Sequence, residues 1–310
     1  MHLRGIGYAL TASLMFGLGV VLAKFLSGEI DAALVAFLSL AFGGLLLTAC
    51  LLFMGKPLFQ NLSVLKRGDW INLLLLSCIG TAFPLLFIVT GFTHASALEG
   101  GFLLQLNGVA ALIFAVLLLG ERIRLRQSLG ILLLLSGSAL VVLKGTQGGI
   151  RESGGLGDLF ILAGAIGLGF GFIPAKRLSE RIETLQLTAL RLLLGAVTLL
   201  PFVAFQLIVE THSLVWQPSL NTLWVLSLYI LTSFCLGYLS QQAGFRLLKA
   251  WEMAAMMQTV PLFSTVLAIL LLHDTITPLQ AIGGFLAILG GVVVSLNDRK
   301  PIMREQKVEF

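Results

Sequence analysis

The sequence predicts an all-α membrane protein with ten transmembrane helices arranged as two inverted five-helix repeats. Three observations lead to this prediction: the composition, the number of apolar runs, and a long internal repeat. Of the 310 residues, 57% are hydrophobic and 11% are charged, and the mean hydropathy is +0.99. A soluble domain has about 25% charged residues. The chain therefore has too few charges to cover a water-exposed surface, which excludes a soluble enzyme and a nucleic-acid-binding protein.

Ten apolar runs are long enough to cross a bilayer, for which a helix needs about 20 residues. In chain order they cover residues 5–25, 33–54, 70–92, 97–119, 127–145, 156–176, 184–209, 221–246, 250–272 and 277–297. The loops between these runs are short and leave no room for an extramembrane domain. The first run begins close to the N-terminus and is long enough to span the bilayer, so we expect no cleavable signal peptide.

The distribution of basic residues predicts the orientation in the membrane. Sixteen Lys and Arg residues lie on the side of the N-terminus, three lie on the opposite side, and Arg191 lies inside the seventh run. Loops rich in Lys and Arg stay in the cytoplasm. We therefore expect a multi-pass protein of the inner (plasma) membrane, surrounded by the lipid bilayer, with both termini in the cytoplasm.

The internal repeat emerges when the chain is shifted by 153 residues against itself. The segment ALEGGFLLQ (97–105) then aligns with AWEMAAMMQ (250–258), and LLLGERIRLRQSLG (117–130) aligns with LLLHDTITPLQAIG (270–283). Apolar bias alone does not explain the matched Glu and Gln residues. The alignment predicts one repeat in residues 1–147 and a second, with a short cytoplasmic tail, in residues 148–310. Five helices per repeat place the second repeat upside down, an arrangement typical of transporters with two alternating openings.

The motifs that the two halves share resemble those of a known family. Each half carries LLL-G/H-E/D-x-I followed by Q-x-x-G after its fourth helix, and the ninth helix contains Q-x-x-P-L. Together with the five-helix halves, these motifs resemble the EamA branch of the drug/metabolite transporter superfamily over residues 5–297. The resemblance implies ten helices around a central cavity, lined mostly by helices one, three, four, six, eight and nine. It also implies membership of a family that mainly exports amino acids and other small metabolites.

The chain departs from the pattern of that superfamily at three places. The proline of the fourth helix is present as Pro261 in the second repeat, where the first repeat has Gly108. The basic residue early in the second helix of a repeat is present as Arg191, where the first repeat has Ser39. Residues 5–23 lack the glutamate on which the small multidrug branch depends, which argues against a copied proton/drug mechanism.

Polar residues near the membrane midplane are the first candidates for a substrate site, because polar groups at that depth are costly. In the fourth and ninth helices, Gln105, Asn107, Gln258 and Thr259 approach the midplane from opposite faces. Amide groups both donate and accept hydrogen bonds, which suits a zwitterionic or polar metabolite. The alternative is that these side chains hold the helices together by interhelical hydrogen bonds.

A second set of candidate substrate-binding residues lies on the eighth and first helices. Tyr238, Gln241 and Gln242 share one face of the eighth helix by their i, i+3, i+4 spacing. Tyr8 and Thr11 lie on one stripe of the first helix. The matching positions of the third helix are apolar, so the pathway has one polar and one apolar wall and suits an amphipathic solute. For the aromatic residues, packing or anchoring at the membrane interface is the alternative.

Six residues are candidates for gating or coupling. They are Glu99, Glu252, Arg191, Lys24, Lys176 and Pro261. Each glutamate lies in the first turn of a helix, where a carboxylate is favoured by the helix dipole, and a cavity-facing carboxylate could instead couple transport to protons. The two lysines end the first helix of each repeat, where they either snorkel to the interface or form gate salt bridges. The proline could bend the ninth helix beside the site.

Arg191 needs a partner because it lies inside a span. Glu252 enters the membrane from the same leaflet and is one expected partner. Glu180 and Glu183 precede the seventh helix and are the others. A stabilising ion pair is the first interpretation of this arginine, and an anchor for an anionic substrate is the second.

The sequence therefore predicts a secondary transporter that exports a small amino-acid-like or amphipathic metabolite by alternating access. A nucleotide-sugar or organophosphate exchanger is the alternative, although such a protein should place several basic residues along its cavity. A membrane enzyme is disfavoured because the chain has no HExxH or GxSxG motif, and a primary pump because it has no P-loop. A sensor or a scaffold is disfavoured because we expect no extramembrane domain. The isolated cysteines indicate neither a disulfide nor a metal site. We expect no cofactor, no metal and no nucleic-acid partner, a small-molecule substrate, and a monomer or homodimer.

Overall fold

A computed structural model describes residues 2–26, 29–59, 62, 65–92, 97–142, 156–209, 218–272 and 278–295. The first half contains α1 (His2–Leu26), α2 (Ala32–Phe53), α3 (Arg67–Ser77), a π-helical turn (Cys78–Ala82), α4 (Phe83–Phe92), α5 (Ala97–Leu119) and α6 (Leu125–Val142). The second half contains α7 (Leu156–Ser179), α8 (Thr184–Val209), α9 (Leu220–Tyr229), a second π-helical turn (Ile230–Gly237), α10 (Tyr238–Leu247), α11 (Ala250–Met257), α12 (Val260–Leu272) and α13 (Pro278–Ser295).

These helices correspond to ten spans, numbered here in chain order. Span 3 combines α3, the first π turn and α4; span 8 combines α9, the second π turn and α10; span 9 combines α11 and α12. Seven of the described stretches are long and apolar enough to cross a membrane, and shorter apolar helices lie in spans 4, 5 and 10. The all-helical architecture of about ten helices that the sequence predicts is confirmed.

Local sequence signals mark where several spans begin and end. Asp31 accepts a hydrogen bond from the Ala33 amide at 2.9 Å and caps the start of span 2. Ser219 caps the start of span 8 in the same way. Spans 2 and 4 are followed by Gly55 and Gly120, whose φ angles are +71° and +65°. Glycine adopts this left-handed conformation without steric cost, so these two residues stop the helices and turn the chain.

The two repeats interlock and do not stand side by side. The most extensive helix contacts join one repeat to the other, namely α6 with α13, α5 with α7, α2 with α8, α4 with α7, and α1 with both α10 and α12. In the contact of α6 with α13, a Cβ atom added to Gly137 would lie 2.6 Å from the Gly283 carbonyl oxygen. A Cβ atom added to Gly290 would lie equally close to the Gly130 carbonyl oxygen. Glycine at these positions therefore lets the helix backbones touch.

Candidate functional site

A cavity of about 350 Å³ lies between the two repeats. It is lined by Phe16, Val20, Ile88, Leu104, Asn107, Leu168, Phe172, Arg191, Tyr238, Gln241, Met257, Val260, Pro261 and Ser264. These residues come from spans 1, 3, 4, 6, 7, 8 and 9. Every helix that the resemblance implied as a cavity wall contributes, and span 7 adds the only cation among the lining residues that the structure describes.

Five of the residues predicted from the sequence line this cavity. They are Asn107, Arg191, Tyr238, Gln241 and Pro261. Most of the remaining wall is aliphatic or aromatic, so the polar groups form a small patch in apolar surroundings. The cavity therefore has the two kinds of wall expected for an amphipathic ligand.

Arg191 is buried in the cavity wall, with 5% of its surface exposed. Its Nε donates to Thr81 Oγ1 at 2.7 Å, one terminal nitrogen donates to Gln241 Oε1 at 3.1 Å, and the other donates to the Gly80 carbonyl at 3.2 Å. The guanidinium carbon lies 4.3 Å from the centre of the Tyr238 ring, within the range of a cation–π interaction. A guanidinium has five N–H donors. Three of the five N–H groups are thus engaged, and the other two have no hydrogen-bond partner within the described ranges.

The π-helical turn of span 3 supplies two of the groups that hold Arg191. A π turn shifts the backbone hydrogen bonds to residues five apart and is frequent at functional sites. The Thr81 hydroxyl donates to the Leu76 carbonyl, five residues back, at 2.8 Å. Thr81 therefore faces the arginine as a hydrogen-bond acceptor, and the Gly80 carbonyl beside it is also directed at the guanidinium. Span 8 has its own π turn at the equivalent place of the second repeat.

The acidic residues expected to pair with Arg191 have other partners. Glu183 forms an ion pair with Lys56, with Nζ and Oε1 2.8 Å apart. Glu252 accepts the backbone N–H three residues before it at 2.9 Å and caps the start of α11. Within the part of the chain that the structure describes, no carboxylate lies within salt-bridge distance of Arg191. Its positive charge is surrounded by neutral acceptors and an aromatic ring.

Span 9 is interrupted at Gln258 and Thr259, between α11 and α12. Pro261 has no N–H to continue the helical hydrogen bonds. The Met256 carbonyl at the break accepts hydrogen bonds from the Thr259 hydroxyl at 2.7 Å and from the Ser13 hydroxyl at 3.2 Å. Interrupted spans at the midplane are typical of ligand sites in membrane proteins, because they expose backbone polar groups to a cavity.

The Gln258 side chain, which is 2% exposed, packs against Gly108 of span 4. A Cβ atom added to Gly108 would overlap the Gln258 amide. Gly108 occupies the position that Pro261 has in the second repeat, and span 4 continues through it as an unbroken helix. The glycine in the first repeat therefore makes room for the glutamine of the second.

The polar face predicted for span 8 divides between two surroundings. Tyr238 and Gln241 line the cavity. Gln242 is buried against span 6 instead, where its Nε2 donates to the Ala175 carbonyl at 3.0 Å. Adjacent residues in a helix point about 100° apart, so only one of the two glutamines faces the cavity.

Lys176 lies at the same crossing of spans 6 and 8 and directly follows Ala175, whose carbonyl binds Gln242. Its Nζ donates to the Phe245 carbonyl at 2.8 Å and lies 3.2 Å from Glu180 Oε1. The side chain of Lys176 is 17% exposed, so it does not snorkel freely into solvent. It joins the ends of spans 6 and 8 at the face of the protein that carries the N-terminus. Glu180, engaged here, does not reach Arg191.

Tyr8 and Thr11 lie on an exposed face of span 1. The Thr11 hydroxyl donates to the Gly7 carbonyl of its own helix at 2.9 Å. Neither residue lines the cavity, and Phe16 and Val20 of the same span do. The side chains of Lys24, Glu99 and Gln105 lie outside the described residues.

Phe16, Ser264 and Thr81 are not among the residues predicted from the sequence. The first two line the cavity, and Thr81 holds Arg191 in place. Phe16 and Ser264 carry no signal of their own, since aromatic residues and serines are common in packed spans. The Gly80-Thr81 pair also resembles the other small and hydroxyl residues of the apolar runs, and only the π turn of span 3 brings it to Arg191.

The polar groups of the cavity are a guanidinium, amides and hydroxyls. Across the described residues, no three His, Cys, Asp or Glu side chains lie close enough together to hold a metal ion. The arrangement is suited to reversible binding of a solute with an anionic group and an apolar part.

Comparison with known proteins decides the family. A model described as the EamA-like transporter family matches residues 3–143 and, a second time, residues 155–296. The two matches fall on the two halves of the chain and together cover most of its length. The chain belongs to the EamA-like transporter family. This EamA protein is therefore a multi-pass membrane transporter with two EamA repeats, within the drug/metabolite transporter superfamily, and not an enzyme.

Several relatives of this EamA protein are known. The transporter YetK of Bacillus subtilis is 24% identical over 93% of this chain and 86% of its own. An uncharacterized transporter of Methanothermobacter thermautotrophicus is 23% identical over 76% of this chain and 67% of its own. A "probable terminal-alkyne amino-acid exporter" of Streptantibioticus cattleyicolor is 26% identical over 70% of this chain and 69% of its own. A chain of known crystal structure has the same fold, with a TM-score of 0.78 at 21% identity over 94% of this chain and 98% of that one.

Proposed function

We propose that this EamA protein exports a small amphipathic metabolite that carries a carboxylate, such as an amino acid, by alternating access. The observation that carries the proposal is Arg191, a buried cation that faces the cavity and has no carboxylate partner within the described residues. An uncompensated buried charge costs several kcal/mol. The carboxylate of a substrate offsets this cost by binding the remaining N–H groups of the guanidinium.

The rest of the cavity supports an amphipathic substrate. Phe16, Phe172 and Met257 offer apolar surface to a side chain of the substrate, and Asn107 and Ser264 offer oxygen acceptors to an ammonium group. The relative from Streptantibioticus cattleyicolor, named as a probable amino-acid exporter, supports the same class. A volume of about 350 Å³ suits a solute of this size.

The alternative of a nucleotide-sugar or organophosphate exchanger has less support. Such substrates carry phosphate charges that are met by several basic residues, and the described walls of the cavity offer Arg191 alone. The same walls present no carboxylate, which disfavours a cationic drug as the substrate.

Binding to the purified transporter in detergent tests the proposal with ligands that differ in one group. Leucine, phenylalanine and methionine are compared with their carboxamides, with sugar phosphates and with a lipophilic cation, by the shift in melting temperature. A ligand that binds only the folded protein stabilises it by about 2.7 kcal/mol at a hundredfold excess over its Kd. We expect at least one amino acid, and not its carboxamide, to raise the melting temperature.

Substitution of the arginine completes this test. Hydrogen bonds to charged groups contribute about 1.5–3 kcal/mol, so Arg191→Ala should weaken carboxylate binding by about ten- to a hundredfold. The exposed Arg246, replaced by Ala, is the control for loss of a positive charge outside the cavity. Equal responses to amino acids and carboxamides, or no response to any carboxylate, would overturn the proposal. A response only to phosphorylated ligands, lost in Arg191→Ala, would establish the exchanger instead.

We also propose that both termini lie in the cytoplasm and that the protein resides in the inner (plasma) membrane. The excess of sixteen basic residues over three on the side of the N-terminus supports this orientation. A green fluorescent protein fused to the C-terminus should fluoresce, and alkaline phosphatase fused at the same place should be inactive. Export is then measured as uptake of the labelled ligand by inside-out vesicles, and uptake by right-side-out vesicles alone would contradict it.

A further inference from the structure

We infer that Thr81, together with the Gly80 carbonyl, positions the Arg191 guanidinium and thereby sets the preference of the site for a carboxylate. This inference rests on the proposed function, since it concerns how the arginine is presented to the substrate. Thr81 lies on the π turn of span 3 and contacts the site only through Arg191. It is therefore a positioning residue and not a ligand of the substrate.

The hydrogen-bond polarity of Thr81 is determined by its surroundings. Its hydroxyl hydrogen is donated to the Leu76 carbonyl at 2.8 Å, so its oxygen can only accept from Arg191 Nε, which lies 2.7 Å away. The side chain is 1% exposed, which leaves no solvent to compete for that oxygen. A buried acceptor at this distance holds the arginine in one rotamer, because turning Nε away would leave it without a partner.

Besides the hydrogen bond to Gln241, three contacts hold the plane of the guanidinium. Thr81 binds Nε, and the Gly80 carbonyl binds one terminal nitrogen at 3.2 Å. The guanidinium carbon lies 4.3 Å from the centre of the Tyr238 ring. Two-point recognition of a carboxylate depends on the orientation of this plane, because both N–H bonds must point at the carboxylate oxygens. The Gly80 and Thr81 contacts thus pre-orient the cation before a ligand arrives.

The symmetry-related pairing, in which the first repeat would supply the cation and the second repeat the acceptor, is not reproduced. The residues equivalent to Arg191 and Thr81 are Ser39 and Phe234. Ser39 is fully buried, and its hydroxyl has no hydrogen-bond partner among the described residues. The described part of the cavity therefore presents one oriented cation, on one side. A bound substrate has its carboxylate at that side and its apolar part away from it.

The test compares the preference for leucine over leucinamide, or for the matched pair that binds best, in variants of Thr81. Thr81→Val keeps the shape of the side chain and removes the acceptor, and we expect the preference to fall by about tenfold. Thr81→Ser keeps the hydroxyl and should retain the preference. Thr188→Val is the matched control, because Thr188 is equally buried on span 7 and its hydroxyl bonds the Thr184 carbonyl of its own helix. If the role of Thr81 were purely structural, Thr81→Val would lower the affinity for leucine and for leucinamide alike.

The outcomes separate this inference from the function on which it rests. An unchanged preference in folded Thr81→Val, with the wild-type preference present, would overturn the inference and leave the proposed function intact. Absence of the preference in the wild type would overturn both. If Thr81→Val does not purify as a folded protein, Thr81→Cys takes its place, because a thiol is a weak acceptor of similar size.

Discussion

Single residues break the symmetry of the two repeats where they meet at the cavity. Arg191 has Ser39 as its counterpart, and Pro261 has Gly108. Ser39 is not among the described residues that line the cavity, so Arg191 alone provides a site for an anionic group there. At the second exchange, span 9 is interrupted just before Pro261, whereas span 4 continues through Gly108 as one helix.

At this scale we predict the effect of Gly108→Ala. The added Cβ atom overlaps the Gln258 amide, so the glutamine has to leave its buried position. Overpacking of this kind costs about 1–3 kcal/mol, and we expect a lower melting temperature in detergent together with weaker ligand binding. Gly7→Ala on span 1 is the control, because no heavy atom lies within 4 Å of the added Cβ atom there. Similar melting temperatures for the two variants would contradict the prediction.

At the scale of elements, the half-helix α11 depends on a carboxylate from another part of the chain. Glu121, in the loop after span 4, accepts the backbone N–H groups of Ala250 and Trp251, both at 2.9 Å. These are amides that a helix start leaves without intrahelical partners. The acidic residue of the LLL-G/H-E/D motif therefore acts in the first repeat as a tertiary helix cap.

We predict that Glu121→Ala destabilises the protein by about 0.5–2 kcal/mol, the usual cost of losing a helix cap. The expected readouts are a lower melting temperature and faster hydrogen–deuterium exchange within residues 250–257. Glu183→Ala removes a half-exposed ion pair with Lys56 and should cost about 0–1 kcal/mol without that local change. Exchange in α11 that is the same in both variants would show that the cap is not needed.

Another prediction at this scale concerns the glycine contact between α6 and α13. Gly290 faces the backbone of α6, and the next residue, Gly291, has no heavy atom within 4 Å of an added Cβ atom. Backbone atoms cannot move aside as a flexible side chain can, so Gly290→Ala should push the two helices apart and lower the melting temperature. Gly291→Ala should be neutral or stabilising, since alanine favours a helix by about 1 kcal/mol over glycine. The reverse order of stability would refute this packing.

At the scale of the whole molecule, the inverted repeats place a polar link between the halves on each face. On the face with the N-terminus, Arg181 forms an ion pair with Asp69 at 2.8 Å. On the other face, Glu29 accepts a hydrogen bond from the Ser219 amide at 2.9 Å and another from the Thr222 hydroxyl. Each link joins the loop after the first helix of one repeat to the start of the third helix of the other.

The link at Glu29 predicts a dependence of stability on pH. Hydrogen bonds from the Ser219 backbone and the Thr222 hydroxyl hold the pKa of Glu29 below its ordinary value of 4.5. A carboxylate with a lowered pKa in the folded state stabilises the protein above its unfolded-state pKa, and this contribution is lost as the pH falls through the folded-state value. Glu29→Gln should therefore melt at a lower temperature than the wild type near neutral pH, and the two should converge in acid. A difference that is constant over the whole pH range would rule out the carboxylate as its source.

The candidate site was predictable in part, and the reason differs between residues. Asn107, Tyr238, Gln241 and Arg191 stood out because polar side chains are expensive inside a membrane, and all four line the cavity. Within the described residues, Arg191 has the Gly80 carbonyl and the Thr81 hydroxyl as partners and not the expected carboxylate. A hydropathy pattern does not distinguish a π turn from an α-helix, so these partners could not be predicted. The functions of these residues in transport stay predictions.

The amino-acid sequence was enough to predict a helical membrane protein built from two repeats. Lipid forces backbone polar groups into helices, and such helices require long apolar runs in the chain. The sequence also shows which residues are too polar to lie against lipid. The packing of the helices was needed to show that Gln241 faces the cavity while Gln242 binds span 6, and that Gly108 makes room for Gln258. Helix rotation and crossing are set by close packing between segments far apart in the chain, and periodicity within one segment carries no information about them.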